Sequence, residues 1–89
     1  MSRTDESLLE FPCAFAVKAM GLTADDFPSL VAELVARHAG RIDDEAIATK
    51  PSTNGKYLSV TVTFTARDKP QLDAIYQALS DHERVLVAL

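Results

Sequence analysis

Apolar and polar residues alternate along the first patterned segment of the chain, from Phe11 to Met20. A period of two residues is the period of a β-strand that buries one of its two faces. The pattern therefore predicts a strand that ends at Gly21. The apolar face of this strand would carry Phe11, Cys13, Phe15, Val17 and Ala19.

In the next segment the apolar residues recur at spacings of three and four, which is typical of an amphipathic helix. Pro28 suits a first helical position. Arg37 and His38 suit the last turn, because cations interact favourably with the carboxyl end of a helix. Gly40 suits the left-handed residue that often ends a helix. We therefore predict a helix from Pro28 to Ala39.

The middle of the chain predicts a short strand, a turn and a long strand. The segment from Ile42 to Lys50 has a weaker pattern, in which residues Ala46 to Thr49 suggest a short strand at the edge of a sheet. Asn54 and Gly55 both tolerate positive φ, so they predict a tight turn. Alternation with many β-branched residues makes Tyr57 to Ala66 the clearest strand of the chain.

The pattern then predicts a second helix over about residues 70–80, with Asp68 as its cap. An apolar strand over residues 85–89 follows it. Short connections between elements in the order β-α-β-β-α-β favour one arrangement. This is an α+β ferredoxin-like βαββαβ sandwich, a four-stranded antiparallel sheet with two helices on one face. We predict a flexible N-terminal tail over residues 1–10 and a single domain over 11–89.

Such a sandwich leaves the second face of its sheet without helices, and this face is the first candidate for function. It can remain solvated, or it can pack against another protein or another copy of the chain. Lys18 could hold an anionic ligand or a partner carboxylate there, or its head could simply reach water. Alternation assigns to this face Ala14, Ala16, Lys18, Met20, Lys50, Tyr57, Ser59, Thr61, Thr63 and Thr65.

Composition and charge narrow the classes of partner. The 89 residues include 13 acidic and nine basic ones, for a net charge of -4, and the basic residues form no run. This balance argues against nucleic-acid binding, which depends on clustered lysine and arginine. No apolar run is long enough to span a membrane, and a single cysteine excludes a disulfide framework. We therefore expect a cytoplasmic protein that binds neither nucleic acid nor membrane.

Residues able to carry chemistry are few and scattered. Cys13 lies on the apolar face of the first predicted strand, so we expect a buried structural thiol. His38 lies near the end of the first helix and His82 in a polar link, and these three residues make a poor metal set. No phosphate-binding loop or nucleophile motif is present. We therefore expect no catalytic residue, no metal and no cofactor, and predict that the protein is not an enzyme.

Two groups of residues resemble the YbeD-like family of small bacterial proteins. The first group is Phe11-Pro12, Phe15, Lys18 and Met20-Gly21, and the second is Lys50-Pro51-Ser52, Gly55, Tyr57 and Ser59-Val60. The resemblance implies a βαββαβ fold similar to ACT regulatory domains, which bind amino acids and pair side by side through their sheets. It implies no catalytic residue. Family genes often lie near those for lipoate attachment, which implies a link to lipoate metabolism.

These observations predict a non-enzymatic regulatory or adaptor domain that binds a protein partner through the open sheet face. The predicted partner-binding residues are Lys18, Lys50, Pro51, Ser52, Gly55, Tyr57 and Ser59. The alternative is an ACT-like small-molecule sensor with Gly21 at the ligand, although Asp25 and Asp26 would disfavour a carboxylate ligand there. A homodimer is left open.

Overall fold

Four antiparallel strands form one sheet in the order β2-β3-β1-β4. The computed structural model describes residues 10–89. The predicted N-terminal tail therefore lies almost wholly outside the described residues. The elements are β1 (Cys13–Leu22), α1 (Phe27–Ala39), β2 (Ile47–Pro51), β3 (Tyr57–Ala66), α2 (Lys69–Asp81) and β4 (Val87–Ala88).

The two long strands β1 and β3 occupy the centre of the sheet. They pair in register over ten residues each, from Cys13 opposite Ala66 to Leu22 opposite Tyr57. Their alternating and β-branched residues favour this extended pairing. The short strands β2 and β4 form the edges. The element order and the sheet confirm the predicted α+β ferredoxin-like fold.

The core lies between the sheet and the two helices. Val17 of β1 and Val62 of β3 are fully buried beneath Phe27 and Val31 of α1 and Ile75 of α2. Removing a side chain of this size from water contributes about 1.5–3 kcal/mol. Every fully buried strand residue points toward the helices, and no helix or strand of residues 10–89 covers the opposite face of the sheet.

Capping bonds hold the ends of the helices. The Asp68 side chain accepts a hydrogen bond of 2.9 Å from the backbone N–H of Gln71, which confirms the predicted cap. The buried Gln71 amide also donates to the carbonyl of His38 at 2.9 Å, joining the start of α2 to the end of α1. Gly40 ends α1 with a φ of 85°, which favours glycine, but its ψ of -168° differs from the left-handed helical conformation that was predicted.

Some boundaries differ from the predictions, each for a local reason. β1 continues through Gly21 to Leu22, because Leu22 still has a partner in β3. β4 is limited to two residues, because Val85 donates to the carbonyl of His82 in a turn that precedes it. Cys13 was expected to be buried, but it is half-buried at the first position of β1, where it packs on the margin of the core.

Candidate functional site

The uncovered surface of the sheet, which we call the open face, brings together residues from all four strands. The strand register and the backbone bonds between β1 and β4 arrange these residues in rows across the sheet. One row consists of Lys50, Ser59, Met20 and Val87, and the next consists of Ala48, Thr61, Lys18 and Leu89. Four predicted partner-binding residues, Lys18, Lys50, Tyr57 and Ser59, therefore lie on the same surface, where Tyr57 stands opposite Leu22.

The charge of the open face differs in sign from the charge of the whole chain. Lys18 and Lys50 are the only charged residues in the four strands, and both are exposed on this face. Within residues 10–89 neither side chain forms an ion pair. The chain as a whole has a net charge of -4. The open face is thus a locally cationic surface on an acidic protein.

A continuous apolar strip follows the β4 side of the sheet. We call it the apolar edge and define it by the four exposed large hydrophobic residues of the described chain. Their side chains range from 45% to 65% exposed. The exposure of this strip was not predicted, because an unbroken apolar segment is typical of a buried strand. The members of the apolar edge are Leu22, Leu86, Val87 and Leu89.

The turn between β2 and β3 is shaped by its own polar side chains. The Ser52 hydroxyl accepts from the Tyr57 N–H at 3.0 Å, and the Asn54 carboxamide oxygen accepts from the Lys56 N–H at 3.0 Å. Gly55 has a φ of 77°, which favours glycine. Ser52 and Gly55, predicted as partner-binding residues, are therefore used to form the turn. Their contact with a partner remains a prediction.

Thr23 fixes this turn against the end of β1. Its backbone N–H donates to the Lys56 carbonyl at 3.0 Å, and its hydroxyl donates to the Gly55 carbonyl at 2.7 Å. The Lys56 ammonium also lies 5.4 Å from the centre of the Tyr57 ring, within range of a cation–π interaction. These contacts hold Lys56 and Tyr57 next to Leu22. A cation, an aromatic ring and an apolar side chain thus share one corner of the open face.

Gly21 lies on the opposite, helix-covered side of β1 and is buried. A Cβ at this position would collide with the carbonyl oxygen of Arg84 and would lie 2.7 Å from the ring of Phe27. The glycine therefore permits Phe27 and the α2–β4 link to pack directly on the strand backbone. The ligand contact at Gly21, which belongs to the alternative sensor hypothesis, stays a prediction, and any such ligand would share this glycine with Phe27 and the Arg84 carbonyl.

A cavity of about 360 Å³ opens beside the end of β1. Arg84 lies on the wall of this cavity and forms a bidentate ion pair with the Asp26 carboxylate, with N···O distances of 2.7 and 3.0 Å. Its guanidinium group also lies over the Phe27 ring. The hydrogen bond from Arg84 lowers the pKa of Asp26 and raises that of Arg84 itself. The residues that line this cavity are Leu22, Thr23, Ala24, Glu83, Arg84 and Leu86.

The remaining candidates for chemistry stay apart in the structure. The half-buried His82 is held locally, because its Nδ1 accepts from the Arg84 N–H at 3.2 Å. His38 is half-buried at the end of α1. Within residues 10–89, no three His, Cys, Asp or Glu side chains come together as metal ligands. None of the helices described is long and apolar enough to cross a membrane.

The fold and the open face define a ferredoxin-like α+β domain with one uncovered sheet surface. The chain belongs to the DUF493 family, whose model, described as "Protein of unknown function (DUF493)", matches residues 6–89. This membership agrees with the YbeD-like resemblance in the sequence.

Relatives match over nearly the whole chain. A UPF0250 protein of Nitrosomonas europaea is 43% identical over 86 residues, covering 97% of this chain and 99% of the relative. A UPF0250 protein of Paraburkholderia phymatum is 40% identical over the full length of both chains. The solution structure of protein HP0495 from H. pylori has a TM-score of 0.73 and 22% identity, over 91% of this chain and 85% of the other. This similarity supports the fold.

Proposed function

We propose that the protein is a non-enzymatic regulatory or adaptor domain of the cytoplasm that binds a protein partner through its open face. One observation carries the proposal: on a chain that is acidic as a whole, the open face carries Lys18 beside the apolar edge and Lys50 on the opposite edge strand, and neither lysine forms an ion pair within residues 10–89. Interfaces commonly combine an apolar centre with polar groups that set orientation. An acidic partner surface with exposed apolar residues would be complementary to this face in both respects.

Affinity capture from native lysate tests the proposal. Wild type is compared with the triple variant Lys18→Ala, Tyr57→Ala, Ser59→Ala, which changes only side chains of the open face. The matched control is Arg37→Ala, Gln77→Ala, Ser80→Ala, which changes exposed residues on the helices. Circular dichroism establishes that both variants fold.

The expected result is a protein retained by wild type and by the helix variant but lost by the open-face variant. Equal retention by all three chains would overturn the proposal, because binding would then not depend on the open face. Loss with the helix variant alone would place the partner on the opposite side of the molecule.

A second candidate function rests on the cavity beside β1. Its volume of about 360 Å³ is in the range of small-molecule sites, and its wall combines apolar side chains with Glu83 and Arg84. The alternative proposal is therefore an ACT-like sensor whose ligand occupies this cavity near, and not against, Gly21. Because Glu83 and the Asp26 carboxylate lie close by, a ligand with a cationic group fits better than a simple anion.

Thermal unfolding in the presence of single metabolites tests this alternative. Ligand at 100 times its Kd should stabilise the fold by about 2.7 kcal/mol. The panel contains metabolites with a cationic group, such as amino acids, and it also contains lipoate, an anion, because the family resemblance links these genes to lipoate attachment. Leu86→Trp, which would fill the cavity from an exposed position, should remove the shift. A panel without any shift would leave the adaptor proposal as the only one supported.

A further inference from the structure

Within residues 10–89, β4 pairs with β1 alone, so its outer backbone edge has no strand partner there. Leu89 exchanges both backbone hydrogen bonds with Lys18, at 2.9 and 2.7 Å. Residues in an antiparallel pair alternate between bonded and non-bonded positions, so the neighbouring Ala88, opposite Ala19, directs its N–H and C=O away from β1. These two groups face outward from the sheet, where another extended chain could pair with them.

The side chains around this backbone do not discourage such pairing. Proteins commonly protect sheet edges with lysine, proline or other charged residues. The β2 edge carries Lys50 and Pro51. The β4 segment has neither, and it exposes Leu86, Val87 and Leu89 instead. The contrast indicates that the β4 edge is suited to receive a strand.

Charge complementarity indicates which kind of strand would pair with the β4 edge. Lys18 lies in the same row as Leu89, one strand inward from the edge, so an added strand would lie two strand spacings, about 10 Å, from the Lys18 backbone. A glutamate on that strand and Lys18, both on the open face, would extend toward each other across Leu89. In a pairing of β4 with β4 of a second copy, residues 85–89 of that copy would offer only apolar side chains and no acidic side chain to meet Lys18. A foreign acidic segment is therefore the better match.

From this geometry we infer that the apolar edge binds an extended segment of a partner protein as a fifth strand beside β4. The segment alternates acidic and apolar residues, so that its carboxylates approach Lys18 while its backbone pairs with Ala88. An apolar residue of the segment enters the cavity between Leu22 and Leu86. Main-chain bonds then supply affinity and the side-chain pockets supply specificity. This inference rests on the proposed function, and it names the partner's chemistry and binding mode.

The probe is a short blocked peptide of alternating valine and glutamate, and its control replaces glutamate with lysine. Each is titrated into the full chain and followed by NMR of the backbone amides. The glutamate peptide should shift the amides of residues 86–89, slow the exchange of the Ala88 N–H and bind at least about tenfold more tightly than the lysine peptide. Added salt should weaken this binding, because the charges lie at the surface. Equal binding of both peptides would overturn the inferred chemistry.

Two variants separate backbone pairing from a general effect on the sheet. Ala88→Pro removes an N–H that faces away from β1, which a proline on an edge strand tolerates. It should weaken binding of the glutamate peptide at least about tenfold. If this variant does not fold, Leu89→Asp serves instead, with Ala48→Asp as its matched control in the same row at the other edge. Binding that survives Leu89→Asp, or that both aspartates weaken equally, would contradict the inference.

Two outcomes distinguish this inference from the proposed function. Peptide binding that is lost with Lys18→Ala but unaffected by Ala88→Pro would support the open face and overturn strand addition at the edge. Sedimentation of the free chain provides a second check. A dimer of wild type that Leu89→Asp dissociates would mean that a second copy occupies the edge, which would also overturn the inference.

Discussion

The two edges of the sheet meet solvent in different ways. The β2 edge contains five residues, ends in Lys50-Pro51 and exposes small or polar side chains. The β4 edge contains two residues, carries no charge and exposes Leu86, Val87 and Leu89. Lysine and proline at an edge discourage unwanted pairing. The difference indicates that the β2 edge is protected against pairing with a further strand, whereas the β4 edge lacks lysine and proline.

The largest effect is expected at the packing that supports the β4 side. Phe27 is fully buried against Gly21 and beneath Arg84. Phe27→Ala should lower the free energy of unfolding by about 3–5 kcal/mol, because it leaves a cavity in the core. Ile47→Ala, at a half-buried position on the β2 side, should cost less. Urea unfolding measures both, and a larger loss for Ile47→Ala would refute the comparison.

Two glycines provide the next test. Gly21→Ala would force a methyl group against the Arg84 carbonyl and the Phe27 ring, and should destabilise the fold by about 3 kcal/mol. Gly55 lies in the turn on the β2 side, where a Cβ would meet no neighbouring atom. Gly55→Ala should therefore lose stability only because alanine disfavours the φ of 77° at this position. That cost is about 1 kcal/mol. Urea unfolding of the two variants should therefore rank Gly21→Ala as the less stable, and equal stabilities would show that the α2–β4 link moves freely.

Changing the character of the apolar edge should affect surface properties more than stability. Leu89→Lys introduces on the β4 side the kind of protection that Lys50 gives β2. Because Leu89 is 65% exposed, the free energy of unfolding of the Leu89→Lys variant should stay within about 0.5 kcal/mol of the wild-type value. Binding of a hydrophobic fluorescent dye should fall. The control Ala48→Lys, also exposed, should leave dye binding unchanged. A similar loss of dye binding in both variants would show that the dye does not report the apolar edge.

The smallest effect concerns the ion pair between Asp26 and Arg84. The hydrogen bond from Arg84 lowers the pKa of Asp26 below its ordinary value of 3.8. A lowered pKa stabilises the fold above the ordinary value, and this contribution disappears as the pH falls through the lowered pKa. Thermal unfolding should show a slightly lower Tm for Asp26→Asn at neutral pH and no difference in strong acid. Asp25→Asn keeps the pair and is the control, so a pH dependence that both variants share would argue against a role for the pair.

The sequence predicted the fold well because its apolar periodicity matches the elements closely. The alternation from Tyr57 to Ala66 reproduces β3, and the lysines at 18 and 50 lie on the open face as alternation places them. The apolar edge was missed for a physical reason. An unbroken apolar run is typical of a buried strand, and only the turn at His82 and the position of β4 at the edge leave Leu86 and Val87 exposed.

The role of Gly21 and the serine of the turn could not be read from their residue types. A glycine after a strand suits a turn or a ligand contact, but here it allows a side chain from the next helix to pack on the strand. Ser52 resembles a surface hydroxyl that is free to bind, but it accepts a backbone bond from Tyr57. The role of Gly21 depends on contact with Arg84, which is distant in sequence. The role of Ser52 depends on the turn that brings it to Tyr57.

The most direct test of the account is hydrogen–deuterium exchange of the full chain with and without the partner obtained by affinity capture. The account predicts slower exchange on binding in residues 86–89, with Ala88 changing most, and little change in Ile47–Pro51. Because the Ala88 N–H points away from β1, slowing there would report a new strand. Protection confined to β2 or to the outer surfaces of the helices, with residues 86–89 unchanged, would contradict the account.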